Sequence, residues 1–148
     1  GMEVRYQNEI IGYNLRMTDI HAAIGVCQLK KLARINYKRQ KNADYLNRRI
    51  TRFKTPVAPD DFKHVYHQYT LRIDSGRDLF IRHLDQLGIG SAIYYPIPVH
   101  ELPPFRAQVN LPQTKIASEQ VVSIPVHPGL NKRALRRIVQ AVESFVSE

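Results

Sequence analysis

The sequence predicts an α+β fold: a small sheet with helices packed on it, preceded by a long helix. Three observations carry this. Apolar residues recur at helical spacing through the first third of the chain, residues 67–73 alternate with the period of a half-buried strand, and the last segment has a one-sided apolar face. The predicted order is helix, strand, helix, strand, short helix, strand, helix. Its strands are too short and its turns too rich in proline for a doubly wound sheet.

Residues 1–17 mix polarities around Gly12 and Asn14 and read as an extended lead-in, with 18–148 as one small domain. Within that domain, 18–54 form a long basic helix and 60–148 an α+β sandwich. Thr18 offers a capping oxygen and Asp19 a favourable first-turn charge; Ile20, Ile24, Cys27, Leu32 and Ile35 then follow near helical spacing. Ala43, Leu46, Ile50 and Phe53 continue the series, Asn36 marks a break between the halves, and Pro56 and Pro59 end it. The small residues Ala22, Ala23 and Gly25 suit the close approach of another backbone.

Residues 60–66 read as loop, and His67, Tyr69, Leu71 and Ile73 as the inward side of a strand. Asp74 or Ser75 is the expected cap of a helix whose face is Phe80, Ile81, Leu84 and Leu87, closed by Gly88 in the left-handed conformation. A short strand over 89–95 would place Tyr94 and Tyr95 on opposite faces. It runs into Pro96, Pro98, Pro103 and Pro104, which make a stiff, shaped loop of the kind often set near ligands. A short helix over 114–121 and a strand over 122–126 follow. Asn131 caps a final helix carrying Leu135, Ile138, Val139, Val142, Phe145 and Val146 on one face.

The 148 residues, 43% apolar and 24% charged, fit one globular domain. No run approaches the roughly 18 apolar residues of a membrane span, no basic-then-apolar leader opens the chain, and a cytoplasmic protein is expected. Gly1 ahead of Met2 reads as a remnant of tag removal, with the natural start at Met2. The single Cys27 permits no internal disulfide and falls on the predicted apolar helix face as a small hydrophobe. The six histidines show no helical His-x-x-x-His pair, so no metal is expected. No phosphate-cradling glycine loop occurs.

The formal charge of +9 is local. Residues 30–54 hold ten basic side chains against Asp44 alone, and the remainder of the chain balances to zero. Such a stripe suits nucleic acid, an acidic partner or a phosphorylated ligand, although a solvated helix face is its ordinary meaning.

The start of the long helix carries more specific chemistry. Gly12-Tyr-Asn-Leu-Arg-Met-Thr18 sets an amide, a guanidinium and a helix N-terminus within seven positions, all suited to an oxyanion. Four words then stand together: Gly12-Tyr-Asn-Leu-Arg-Met-Thr-Asp-Ile-His-Ala-Ala-Ile-Gly25 with Gln28-Leu29; His64-Val-Tyr-His-Gln-Tyr69; Gly88-Ile-Gly90 leading to Tyr95-Pro-Ile-Pro-Val-His100; and Ser123-Ile-Pro-Val-His-Pro-Gly-Leu130. In order and spacing, over residues 8–146, they resemble the C-terminal third of the DegT/StrS-type sugar aminotransferases. These are pyridoxal-phosphate enzymes of the aspartate aminotransferase fold.

The resemblance implies the C-terminal domain of a fold-type I enzyme and a long interface helix. It implies that Asn14 reaches the cofactor phosphate of a neighbouring subunit, with Arg16 as an interface or ligand contact. Tyr95 and His100, with Tyr94, fall on the nucleotide-sugar side. Tyr94 stands where the family frequently has histidine, and His127 where it often has tyrosine. The family's imine-forming lysine and the aspartate for the pyridine nitrogen lie upstream of the first residue here. None of the eight lysines sits in a matching context.

The expectation is therefore a dimerisation and substrate-side segment of an enzyme of polysaccharide or antibiotic sugar biosynthesis. It would be an excised domain or a truncated product, not catalytic alone. It would bind pyridoxal phosphate only in the complete enzyme or across a dimer interface, with a second copy or a large domain as partner. Two alternatives stay open: a nucleic-acid-binding module using the basic 30–54 helix, and a freestanding interaction protein pairing through the 18–53 helix.

Overall fold

The computed structural model describes residues 10–13, 15–106 and 108–146. The chain divides into two compact units, Gly1–Ala33 and Arg34–Glu148, with the division falling inside the first helix.

In the N-terminal unit, α1 (Asp19–Asn47) begins where Thr18 was expected to cap it. The Thr18 hydroxyl accepts from the His21 backbone N–H at 3.3 Å and shares a hydrogen bond with His21 Nδ1 at 3.0 Å. Along this part of the helix Ile20, Ile24, Leu29 and Leu32 are exposed, as is Cys27. A Cβ on Gly25 would meet open space.

In the C-terminal unit, α1 continues through Asn36 without a break, because an exposed or half-exposed Asn costs a helix only a few tenths of a kcal/mol relative to Ala (~0.5). The helix stops at Asn47, earlier than the sequence period suggests. Arg49 and Ile50 both donate their N–H to the Leu46 carbonyl, so the chain turns away while still burying Ile50 and packing Phe53 on the core.

The sheet has two strands, β1 (Tyr69–Arg72) and β2 (Val121–Ile124), paired antiparallel with Tyr69 opposite Ile124 and Arg72 opposite Val121. Single bridges extend it on both sides, Lys54 to Arg72 and Ala92 to Ser123. The strand expected over 89–95 is reduced to that Ala92 bridge, since Pro96 and Pro98 cannot donate to a ladder. β1 buries Tyr69 and Leu71, and Ile73 follows on the same side, as the alternation predicts. His67 is exposed instead, because the chain enters β1 through Tyr66 at φ 47, which breaks the alternation and turns the Tyr66 ring inward.

Three further helices pack with the sheet: α2 (Arg77–Gln86), α3 (Pro112–Gln120) and α4 (Lys132–Glu143). Neither Asp74 nor Ser75 caps α2. Gly76 takes the cap position at φ 74, a conformation open to glycine at little cost, and Asp74 instead lies near Lys54 and Arg72. Gly88 ends the turn after α2 at φ 68, as expected. Asn131 caps α4, its Oδ1 accepting from Ala134 N at 2.9 Å. Leu135, Ile138 and Val142 are buried; Phe145 is buried just past the helix, and Val146 points to solvent because the helix has already ended.

Phe53, Phe80 and Phe145 meet at ring-centroid distances of 5.0, 5.2 and 6.2 Å, joining the segment after α1 to α2 and the end of α4. Below the long helix, side-chain donors hold irregular backbone. Arg39 Nη1 donates to the carbonyls of Tyr66 and His67 at 3.1 and 3.2 Å, and Gln40 Nε2 to that of His64 at 2.9 Å. The buried Asn42 Nδ2 donates to the His127 carbonyl at 2.9 Å. Tyr69 sits in the core with its hydroxyl donating to Asn47 Oδ1 at 2.6 Å; burial holds that phenol well above its ordinary range.

Glu143 ties α4 to the segment after α1. Its carboxylate accepts from Thr51 N at 2.8 Å, Thr51 Oγ1 at 2.9 Å and Arg52 N at 3.3 Å. Burial pushes this carboxyl up, but the Thr51 and Arg52 hydrogen bonds and the Arg52 guanidinium outweigh it and hold it below the usual range near 4.5. A depressed folded pKa stabilises above the unfolded value and loses that contribution as pH falls through the folded one. Urea denaturation from pH 6 down to pH 2 is expected to show an acid loss of stability that shrinks in Glu143→Gln; an unchanged acid limb refutes the assignment. Phe80→Ala is expected to cost about 3–5 kcal/mol by the same measurement, and Asn42→Ala about 1–3 kcal/mol, because its amide also donates to the buried Val126 carbonyl at 3.4 Å, which would lose that partner.

Candidate functional site

The proline-rich segment folds back through two 3-10 turns, Val99–Glu101 and Pro103–Phe105, toward α3 and the start of β2. Between them lies a cavity of about 710 Å³. Phe105, Leu111, Ala117, Val121, Pro98 and Val99 make its walls apolar, and Tyr94, Tyr95, His100, Thr114 and Ser118 supply the polar groups. Volume and lining both match a small-molecule site: mostly apolar, with a few polar groups to fix orientation.

The polar groups are not equally available. The Ser118 hydroxyl is spent on the Lys115 carbonyl at 2.7 Å. His100 is half-buried, its Nε2 3.9 Å from Glu101 Oε1, too far for a hydrogen bond. Tyr94 and Tyr95 are 46% and 72% exposed, and no described residue hydrogen-bonds to either hydroxyl. The expectation of one ring inward and one outward fails, because the strand that would alternate them is absent. Tyr95 adopts φ 58, a left-handed conformation that costs a non-glycine residue about 1–2 kcal/mol. Such strain persists only where the surroundings impose it, and it concentrates at ligand sites.

A second cleft, of about 330 Å³, shares Tyr94 with the first. Arg39, His67, Gln68, Ser91 and His127 line it.

The structure thus gathers Tyr94, Tyr95 and His100 around one cavity. Arg16 is exposed in the N-terminal unit, and Asn14 lies outside the described residues. The apolar wall from Phe105 to Val121 was missed in the sequence; its only signal is the apolar run Leu102-Pro-Pro-Phe105 inside a loop. Of the ten cations in 30–54, five have intramolecular roles. Arg39 holds carbonyls, Arg49 stacks on Tyr45 at 3.8 Å, Lys41 lies 5.5 Å from the Tyr37 ring, Arg52 reaches the Glu143 carbonyl, and Lys54 pairs with Asp74. Half of the cations in this stripe are thus engaged within the chain. Among the described residues no group of three or more His, Cys, Asp or Glu could hold a metal, and no helix is long and apolar enough to cross a membrane.

The C-terminal α+β unit, with its apolar cavity, carries three of the four sequence words, and the first word falls in the N-terminal unit. The chain belongs to the DegT/DnrJ/EryC1/StrS aminotransferase family, whose pattern matches residues 1–143. It is 33% identical over 93% of its length to a UDP-N-acetyl-3-dehydro-alpha-D-glucosamine 3-aminotransferase of Acidithiobacillus ferrooxidans, and 32% identical over 96% to a GDP-perosamine synthase of Caulobacter vibrioides. It is also 30% identical over 98% to a dTDP-3-amino-3,6-dideoxy-alpha-D-galactopyranose transaminase of Aneurinibacillus thermoaerophilus. Among solved structures, Streptomyces venezuelae DesV matches 99% of the chain at 30% identity, and a family aminotransferase from Brucella abortus 96% at 27%, both with a TM-score of 0.84. The chain spans 38–41% of the length of those three relatives and 39–42% of the two structures.

The family implies pyridoxal phosphate, which needs a lysine for its imine and a carboxylate for its ring nitrogen. All eight lysines are exposed, and neither cavity has one. The described residues do not fit a complete site for that cofactor.

Tyr95→Gly is expected to leave urea stability unchanged or raise it by up to about 1 kcal/mol, because glycine accepts positive φ and the exposed ring contributes little packing. A loss of more than about 1 kcal/mol would show that the ring is held for the fold and not for a ligand.

Proposed function

We propose that these residues form the substrate-capping and dimerisation portion of a cytoplasmic aminotransferase acting on a nucleotide-linked keto sugar. The observation that carries the reading is the apolar cavity edged by Tyr94, Tyr95 and His100, with the tyrosine hydroxyls unspent. Those hydroxyls and the His100 imidazole suit sugar hydroxyls, and the apolar walls suit a base or a deoxy carbon. The relatives are named for UDP-, dTDP- and GDP-linked sugars, which supports the nucleotide and leaves the sugar open. In this reading Asn14 and Arg16 contact the cofactor phosphate of a neighbouring subunit. The imine-forming lysine is supplied from outside these 148 residues, so the segment is not catalytic alone.

The surface of α1 supports the need for a partner. At about 100° per residue, Ile20, Ile24, Val26, Leu29 and Leu32 point around most of the helix circumference, and all are exposed. A helix that exposes apolar side chains over so much of its surface gains stability when they are covered, here by a second copy or a large domain.

Two measurements test the reading. Incubation with pyridoxal phosphate, borohydride reduction and mass spectrometry are expected to give no labelling or scattered weak labelling; one stoichiometric adduct on a single lysine overturns the non-catalytic assignment. In a chimera, these residues replace the corresponding part of the Caulobacter GDP-perosamine synthase. Amino transfer to a keto-sugar nucleotide is expected, with His100→Ala raising KM about tenfold through a lost hydrogen bond. A folded, dimeric chimera without activity counts against the reading.

A further inference from the structure

The sheet has different surroundings at its two edges. The spaces edged by Tyr94 lie on the side of the Ala92 bridge; on the side of the Lys54 bridge lies a third cleft, of about 360 Å³. It is built from the segment after α1, the end of β1 and the residue that follows α4. Phe53 and Phe145 give it an apolar lining, with ring centroids 6.2 Å apart and planes 39° from parallel. Three cations, Arg52, Lys54 and Arg72, stand around them against one lining carboxylate, Asp74.

Asp74 shows what these cations attract. Lys54 Nζ is 3.9 Å from its Oδ2 and Arg72 Nε 3.7 Å from its Oδ1, both too long for hydrogen bonds. Exposed pairs at such range contribute little, so Asp74 is a weakly held occupant that another carboxylate can displace. Among the described residues, Lys54 Nζ, the two Nη groups of Arg72 and the Ser75 hydroxyl make no hydrogen bond within the chain. Arg72 is nevertheless fixed in place: its Nε donates to Gln120 Oε1 at 2.5 Å and its backbone N–H to the Lys54 carbonyl at 3.1 Å. Arg52 is turned toward α4, where Nη1 donates to the Glu143 carbonyl at 3.4 Å, and the Glu143 carboxylate is itself spent on Thr51 and Arg52 N–H. The unspent donors are therefore those nearest Asp74.

We propose that this cleft binds a small carboxylate carrying a flat aromatic ring. The carboxylate takes the place of Asp74 between Lys54 and Arg72, and the ring lies against Phe53 and Phe145. The free Nη pair of Arg72 suits the two oxygens of a carboxylate, and Ser75 adds a neutral donor. Aromatic rings gain from offset or edge contact with a third ring, so the apolar lining selects for one. The volume is within the range of small-molecule sites. This inference does not rest on the nucleotide-sugar reading.

The 148-residue chain is titrated near neutral pH and at constant ionic strength with benzoate, with acetate and with benzamide, while backbone amide and aromatic resonances are followed by NMR. Benzoate is expected to shift the amides of Lys54, Arg72 and Ser75 and the ring of Phe53. Acetate, which lacks the ring, and benzamide, which lacks the charge, are expected to bind at least about tenfold more weakly. Lys54→Ala is expected to raise the benzoate Kd about tenfold with the rest of the spectrum preserved, and Asp74→Asn to lower it about fivefold by removing the competing charge. Replacing Lys30 and Lys31 together by Ala, in the other unit, is expected to leave it unchanged. Benzoate shifts confined to Tyr95 and Phe105, acetate binding as tightly as benzoate, or a Kd indifferent to Lys54→Ala overturn the site. So does a weaker affinity in Asp74→Asn, which would make that carboxylate part of the framework and not a displaceable occupant.

Discussion

The C-terminal unit depends on irregular backbone being paired by side chains of α1. Two loops lead into and out of its sheet, and neither has a ladder to satisfy its carbonyls. Arg39, Gln40 and Asn42, within four consecutive positions of one helix, donate to the carbonyls of His64, Tyr66, His67 and His127. Each such hydrogen bond contributes about 0.5–1.5 kcal/mol, so together these contacts help to hold the loops beneath the helix. Once they do, Tyr69 and Ile124 face each other at the start of the register, and the core from Leu46 to Val142 can close.

A sheet of two four-residue strands has little independent stability, and three or more strands or a packed helix are needed. The unit meets that need by borrowing. Single bridges at Lys54 and Ala92 supply the missing neighbours, and the Phe53, Phe80 and Phe145 rings join segments distant in sequence. The Ala92 bridge also serves the site. It fixes the chain just before Tyr94 and Tyr95, so the proline-rich segment leaves the sheet edge from a set point and curls over α3.

Much of the fold was legible because periodicity is a physical record of burial. Leu135, Ile138 and Val142 mark the face of α4, and Tyr69, Leu71 and Ile73 mark the inner side of β1, whatever the loops do. Asn131 and Gly88 were legible because cap and closing positions demand particular chemistry. Where several residues could do one job, the sequence was silent. Asp74 is a better N-cap by type than Gly76, yet it is drawn to Lys54 and Arg72, and glycine takes the positive φ that remains. The end of α1 was misplaced because Ile50 and Phe53 keep the helical period after the backbone has left the helix. Burial by a following segment reads the same as burial by a helix face.

The candidate site was legible only in part, and for a different reason. Tyr94, Tyr95 and His100 could be singled out by type, but the cavity exists because Phe105, Leu111 and Val121 come together from a turn, a helix cap and a strand. No local pattern records that meeting. The sequence words that identify the family also turn out to do two kinds of work. The segments His64–Tyr69 and Ser123–Leu130 carry the carbonyls that α1 clamps, whereas the Tyr95–His100 word shapes the cavity. A likeness spread over all of them therefore speaks first for a shared fold, and its bearing on chemistry is clearest in the word that shapes the cavity.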